Sequence, residues 1–71
     1  MSRNKPNKIT PKELEAFLQK FDISNADFAH MLGVTEPAVQ HWLNGRRDVP
    51  PTTVKLLRYF ERRPVAMEEF T

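Results

Sequence analysis

The chain's 71 residues suffice for one small domain and leave no room for a separate catalytic one. The absence of cysteine removes disulfides, thiolate nucleophiles and thiolate metal sites together, and it fits a reducing compartment. A formal net charge of +2 hides an uneven distribution. Residues 1–12 carry Arg3, Lys5, Lys8 and Lys12 with no acid, whereas residues 13–43 set Glu13, Glu15, Asp22, Asp27 and Glu36 against Lys20 alone. Residues 44–63 turn basic again, with Arg46, Arg47, Lys55, Arg58, Arg62 and Arg63 against Asp48 and Glu61. Two separated basic blocks suit a polyanion such as nucleic acid, and they serve equally well simply to solvate a small domain. Met1 to Lys12 is polar and basic without an apolar run, so it reads as neither a signal peptide nor a membrane span. A soluble, cytoplasmic protein is expected. A chain of this size buries only about 60% of the surface its unfolded form exposes, so a second copy is expected to help hold it.

Residues 1–9 read as a flexible basic arm, with asparagine, lysine and proline and little to bury. Residues 10–71 then form a single domain. Thr10 with Glu13 makes a capping box, and Pro11 falls at the first helical position. A first helix is predicted from Pro11 to about Phe21, with Leu14, Phe17, Leu18 and Phe21 on one face. Ser24 with Asp27 repeats the capping signal and opens a second helix, whose stripe is Phe28, Met31 and Leu32. Gly33 suits the left-handed residue that closes it. Thr35 is a third N-cap, and Pro37 is tolerated in the first turn because its missing N–H has no intrahelical partner there. The third helix runs from about Glu36 to Asn44 and stops at Gly45. Pro50 and Pro51 open a fourth, with Val54, Leu57 and Phe60 inward beside Leu56, and Arg63 before Pro64 marks its end. A last short turn covers Val65 to Phe70. No stretch alternates long enough for a strand, so the class is all-α, a compact four- to five-helix fold.

The most informative segment is Asn25 to Trp42. Ala29 is small enough to let the third helix cross close to the second, and Gly33 permits a tight turn between them. Val34, Val39 and Trp42 line the inner side of the turn and third helix, facing Phe28 and Leu32. The outer side is left with Glu36, Pro37, Gln40, His41 and Asn44. Apolar groups behind and hydrogen-bonding groups in front are what a helix inserted in a major groove requires. An ordinary αα corner needs any one of these residues, but the full set at this spacing reads as a helix-turn-helix.

On these residues the chain resembles the lambda-repressor and Cro-like (xenobiotic-response-element) family of bacterial and phage regulators, over about Leu14 to Phe60. The match is carried by Ser24, Asn25, Phe28, Ala29, Leu32, Gly33, Val34, Thr35, Val39, Trp42, Leu43, Asn44, Gly45, Arg46 and Pro50. The run Pro51, Thr53, Lys55, Leu56, Leu57 and Arg58 is similar to the corresponding helix of some antitoxin repressors and of short phage regulators that accompany anti-CRISPR genes. The resemblance implies a DNA-binding repressor that reads an inverted repeat as a homodimer. It also implies DNA phosphate contacts from Asn25, Thr35, Asn44, Arg46 and Arg47, and base contacts from Glu36, Pro37, Gln40 and His41. Asn25 stands where the family usually has glutamine, and Glu36 and Pro37 depart from its common glutamine, arginine or serine.

Gln40 can pair bidentately with adenine, Glu36 can accept from cytosine N4 or simply favour the helix dipole, and Pro37 offers only apolar contact. Arg58, Arg62 and Arg63 suit phosphate or acidic partner groups, and also the end of a helix. His30 reads as a surface residue and Trp42 as a core anchor. The alternative function is a protein-interaction module, such as an antitoxin subunit holding a toxin through Val65, Met67 and Phe70. No nucleophile–base or carboxylate-pair spacing stands out, so neither enzyme activity, a metal nor a cofactor is expected.

Overall fold

Each of the first three helices begins on a side chain that accepts a backbone N–H left without an intrahelical partner. In the computed structural model, which describes residues 8–70 apart from the side chains of residues 69 and 70, α1 spans Pro11–Lys20 behind the Thr10 cap. Its capping box is complete: the Glu13 N–H donates to Thr10 Oγ1 at 3.1 Å and the Thr10 N–H donates to Glu13 Oε1 at 2.9 Å. The second helix, α2 (Asn25–Leu32), is capped by Ser24, whose Oγ accepts from the Asp27 N–H at 3.1 Å. Here the expected box is only half made: among the described residues no return bond runs from the Ser24 N–H to Asp27. An aspartate is one methylene shorter than the glutamate or glutamine that closes such a box. Thr35 Oγ1 accepts from the Ala38 N–H at 3.3 Å and opens α3 (Glu36–Leu43). The fourth helix, α4 (Pro51–Arg62), has no side-chain cap and starts on prolines; α5 (Val65–Phe70) follows Pro64.

The same device closes α1, α2 and α3. A left-handed residue, Asp22 (φ 56°), Gly33 (φ 72°) or Gly45 (φ 77°), turns the chain. The N–H after it reaches back over the last turn: Ile23 to the Leu18 carbonyl (2.9 Å), Val34 to Ala29 (3.0 Å) and Arg46 to His41 (2.9 Å). These are Schellman ends, which satisfy carbonyls the helix would otherwise leave bare. Glycine adopts this conformation freely, and aspartate is among the few other residues that tolerate it.

The core follows from the helical periodicity. Leu14, Phe17 and Leu18 of α1, Phe28 and Ala29 of α2, Val39 and Trp42 of α3, and Val54, Leu57 and Phe60 of α4 are buried. Burying each large apolar side chain is worth about 1.5–3 kcal/mol. Phe17 sits at the centre, its ring centroid 4.7 Å from that of Phe21 and 6.2 Å from that of Phe28. Val49, in the loop before α4, and Met67 of α5 are buried too, and Ile9 packs against the same cluster. None of the described residues is both buried and polar or charged. The third helix packs on α2 and α1, and α5 packs back on α4.

The expected all-α fold of four to five helices is observed with five, and with no strand among the described residues. Residues 1–7 of the expected arm lie outside the described residues, whereas Lys8 and Ile9 are tied to the domain. Met67, read as a partner contact, belongs instead to the core; the Phe70 side chain lies outside what is described.

Candidate nucleic-acid interface

The α2–turn–α3 unit carries the site. Ala29 at the crossing is 5% exposed, and its lack of a long side chain is what brings the two helices close. Behind α3, Val39 and Trp42 are buried three residues apart, and Ala38 and Leu43 are half-buried. In front, Glu36, Pro37, Gln40 and Asn44 are exposed and His41 is half-buried. Residues four apart stack on a helix surface, so Glu36, Gln40 and Asn44 form one stripe, with Pro37 and His41 on the next.

Thr35 stands at the start of this helix, exposed, with its Oγ1 accepting from Ala38 and its hydroxyl proton still available to a ligand. At the other end, the Arg46 and Arg47 N–H groups both donate to the His41 carbonyl, at 2.9 and 3.3 Å. The backbone of the loop is pinned there while both guanidinium groups project into solvent. Among the described residues neither arginine joins an ion pair.

Asn25, the first residue of α2, is half-buried. It lines one cleft together with Leu43 and Asn44 at the end of α3, and with Glu15 and Asp27. Asn25 and Asn44, 19 positions apart in the sequence, therefore flank the same opening. Periodicity within either helix carries no signal of this, because the α2–α3 crossing creates it.

Arg58 takes a different part from the one its charge suggested. It is engaged inside the chain, with Nη2 donating to the Lys8 carbonyl at 2.9 Å and lying 3.9 Å from Glu13 Oε1, and with Nη1 at 3.4 Å from Glu61 Oε1. Arg62 and Arg63 are exposed. His30 is exposed on α2, and no group of three or more potential metal ligands occurs among the described residues.

A short helix held from behind by a tight-turn partner, polar in front and flanked by free arginines, defines a helix-turn-helix DNA-binding domain. A helix-turn-helix family model matches residues 14–58, from the first core leucine to the clamp arginine. The chain belongs to this Cro/C1-type family of lambda-repressor-like proteins and is a DNA-binding transcription regulator. The family is one of regulatory domains rather than enzymes. A comparison with curated protein sequences returned no match. No helix among the described residues is long and apolar enough to cross a membrane.

Proposed function

We propose that the protein is a repressor that binds an inverted-repeat operator as a homodimer, with one α3 in the major groove of each half-site. The observation that carries this reading is the partition of α3, with Val39 and Trp42 buried and Glu36, Pro37 and Gln40 exposed on the same two turns. From Glu36 to Asn44 the outward stripe is about 12 Å long at 1.5 Å per residue, comparable to a major groove about 12 Å wide.

Gln40 is the principal base reader, its amide pairing with adenine N6 and N7. Glu36 accepts from cytosine N4, the Pro37 ring meets a thymine methyl, and His41, reaching less far, donates to guanine N7. Thr35 contacts phosphate at the start of α3, and Asn25, Asn44, Arg46 and Arg47 contact it at the other end of the helix. Glu15 and Asp27 line the cleft shared by Asn25 and Asn44, so a phosphate stays at its mouth, within reach of both amides. In a dimer the two recognition helices lie about 34–36 Å apart, one turn of the duplex. No cofactor or metal takes part, and the protein works in the cytoplasm, where the DNA is.

Selection from a random duplex library at moderate salt, followed by sequencing of the bound DNA, tests this directly. Enrichment of a two-fold symmetric site is expected. Equal recovery of all sequences would overturn the operator reading and favour a protein partner, such as a toxin, as the main ligand.

A further inference from the structure

The two sides of α1 face different neighbours. Glu13 lies beside Arg58 of α4 on one side, whereas Glu15 and Gln19 line, on the other, the cleft that Asn25 and Asn44 flank. Lys12 stands three positions before Glu15 and seven before Gln19, a spacing that puts all three on one stripe of the helix. It is therefore on the cleft side, one turn nearer the start of α1. That end of the helix meets the loop after α3: a Cβ on Gly45 would lie 3.6 Å from Pro11 Cγ, and Arg46 and Arg47 follow Gly45 directly. Both backbones are held there, one by Arg58 on the Lys8 carbonyl and the other by the Arg46 and Arg47 N–H groups on that of His41. Lys12 is exposed, and among the described residues its side chain joins no ion pair, even with Glu15 one turn on.

The fold itself has no use for this charge. A cation in the first turn faces the positive end of the helix dipole, where Glu13 is favoured and a lysine is not. A residue that breaks a local rule and has no partner inside the chain is what a binding surface leaves behind. From this placement we infer that Lys12 is a further phosphate contact, which carries the DNA interface from α2 and α3 onto the start of α1. Glu15 and Asp27 keep a phosphate out of the cleft, and the Lys12 ammonium draws one to its rim beside the arginine loop. The contact is one of position rather than sequence, because a phosphate presents the same oxygens at every step. This inference rests on the docking of α3 proposed above and adds a residue to it.

The test compares Lys12→Ala with Lys20→Ala in the full chain, by fluorescence anisotropy across a salt series on an enriched duplex and on a scrambled one. Lys20 removes the same charge from the same helix, about 12 Å further along, where its Nζ lies 5.6 Å from the Phe21 ring centroid. Lys12→Ala should make the log–log salt slope shallower by about 2, one phosphate from each protomer, and weaken both duplexes roughly tenfold or more at moderate salt. Lys20→Ala should leave the slope as in the wild type. In a thermal melt Lys12→Ala should unfold no lower than the wild type, because alanine is the better helix former and the disfavoured cation is gone. Equal effects from the two lysines would reduce both to net charge and overturn the inference, as would a steep slope that Lys12→Ala leaves unchanged. A wild-type slope near zero would overturn it together with the phosphate contacts proposed above. Steep binding with no enriched site, still made shallower by Lys12→Ala, would overturn only the operator reading and leave this contact standing.

Discussion

Arg58 Nη2 donates to the backbone carbonyl of Lys8 at 2.9 Å, across 50 positions of the chain. The same guanidinium lies beside Glu13, whose Oε1 already accepts the Thr10 N–H in the capping box. One arginine of α4 thereby fastens the segment before α1 and supports the cap that starts it. Its side chain is 32% exposed, so solvent screens the ion pairs and the hydrogen bond to Lys8 carries most of the effect. Arg58→Ala should cost about 1 kcal/mol, a fall of about 4–8 °C in Tm for a domain of this size. Arg58→Lys should recover only part of that loss, because an ammonium cannot span the Lys8 carbonyl and Glu61 as a planar fork does. A thermal melt in which all three proteins coincide would show that the clamp holds nothing.

The three left-handed helix ends give a second contrast. A Cβ on Gly33 would meet nothing within 4 Å, and one on Gly45 would sit 3.6 Å from Pro11 Cγ, an ordinary contact. Neither substitution is penalised by space, so Gly33→Ala and Gly45→Ala should each cost about 1–2 kcal/mol from backbone conformation alone. Asp22→Gly should move stability little, because relief of the positive φ is offset by the greater freedom of glycine in the unfolded chain. Urea titrations of the three variants would check this. A loss at Gly45 much larger than at Gly33 would point instead to pinching between Pro11 and the loop after α3.

These examples also mark what the sequence makes legible. Caps and stops act over three or four residues, so Thr10, Ser24, Thr35, Gly33, Gly45 and the prolines mark the ends of α1 to α4 to within a residue or two. The inward and outward sides of α3 follow from a 3.6-residue period in the same way. Arg58 could not be placed, because its partners come from the other end of the chain. Val49 carries no signal of its burial, because a single valine between Asp48 and Pro50 has no period and only the closing of the loop over the core buries it. Asp22 carries no mark of its left-handed backbone beyond being a residue type that tolerates it. At the site, the stripe of Glu36, Gln40 and Asn44 was readable within one helix, whereas the pairing of Asn25 with Asn44 needed two helices to cross.

If the phosphate contacts are those proposed, binding releases counterions and weakens steeply with salt. Arg46 and Arg47 of two protomers neutralise about 4 phosphates, which gives a slope near −4 in a log–log plot of affinity against salt. Arg47→Ala removes one phosphate contact from each protomer of the dimer, so it should make the slope shallower by about 2 and weaken binding to every sequence alike. Fluorescence anisotropy across a salt series measures both quantities, and a wild-type slope near zero would rule out an interface dominated by phosphate.

The sharpest separation of roles lies between Gln40 and its neighbours. Gln40 is exposed and, among the described residues, its side chain forms no hydrogen bond, so Gln40→Ala should leave stability within about 0.5 kcal/mol of wild type. Its loss should be felt only against DNA, as about 1–3 kcal/mol less discrimination at one base position of each half-site. Arg46→Ala should weaken the best site and a scrambled site by the same factor, because a phosphate contact carries no sequence information. Trp42 gives the opposite control, since its buried ring holds α3 from behind and Trp42→Ala should cost about 3–5 kcal/mol, a large share of the stability of so small a domain. Competition assays with singly altered sites, run beside melts of each variant, separate the three behaviours. Should Gln40→Ala and Arg46→Ala relax base preference equally, α3 would not present Gln40 to the bases, and the docking orientation proposed for this helix would have to be abandoned.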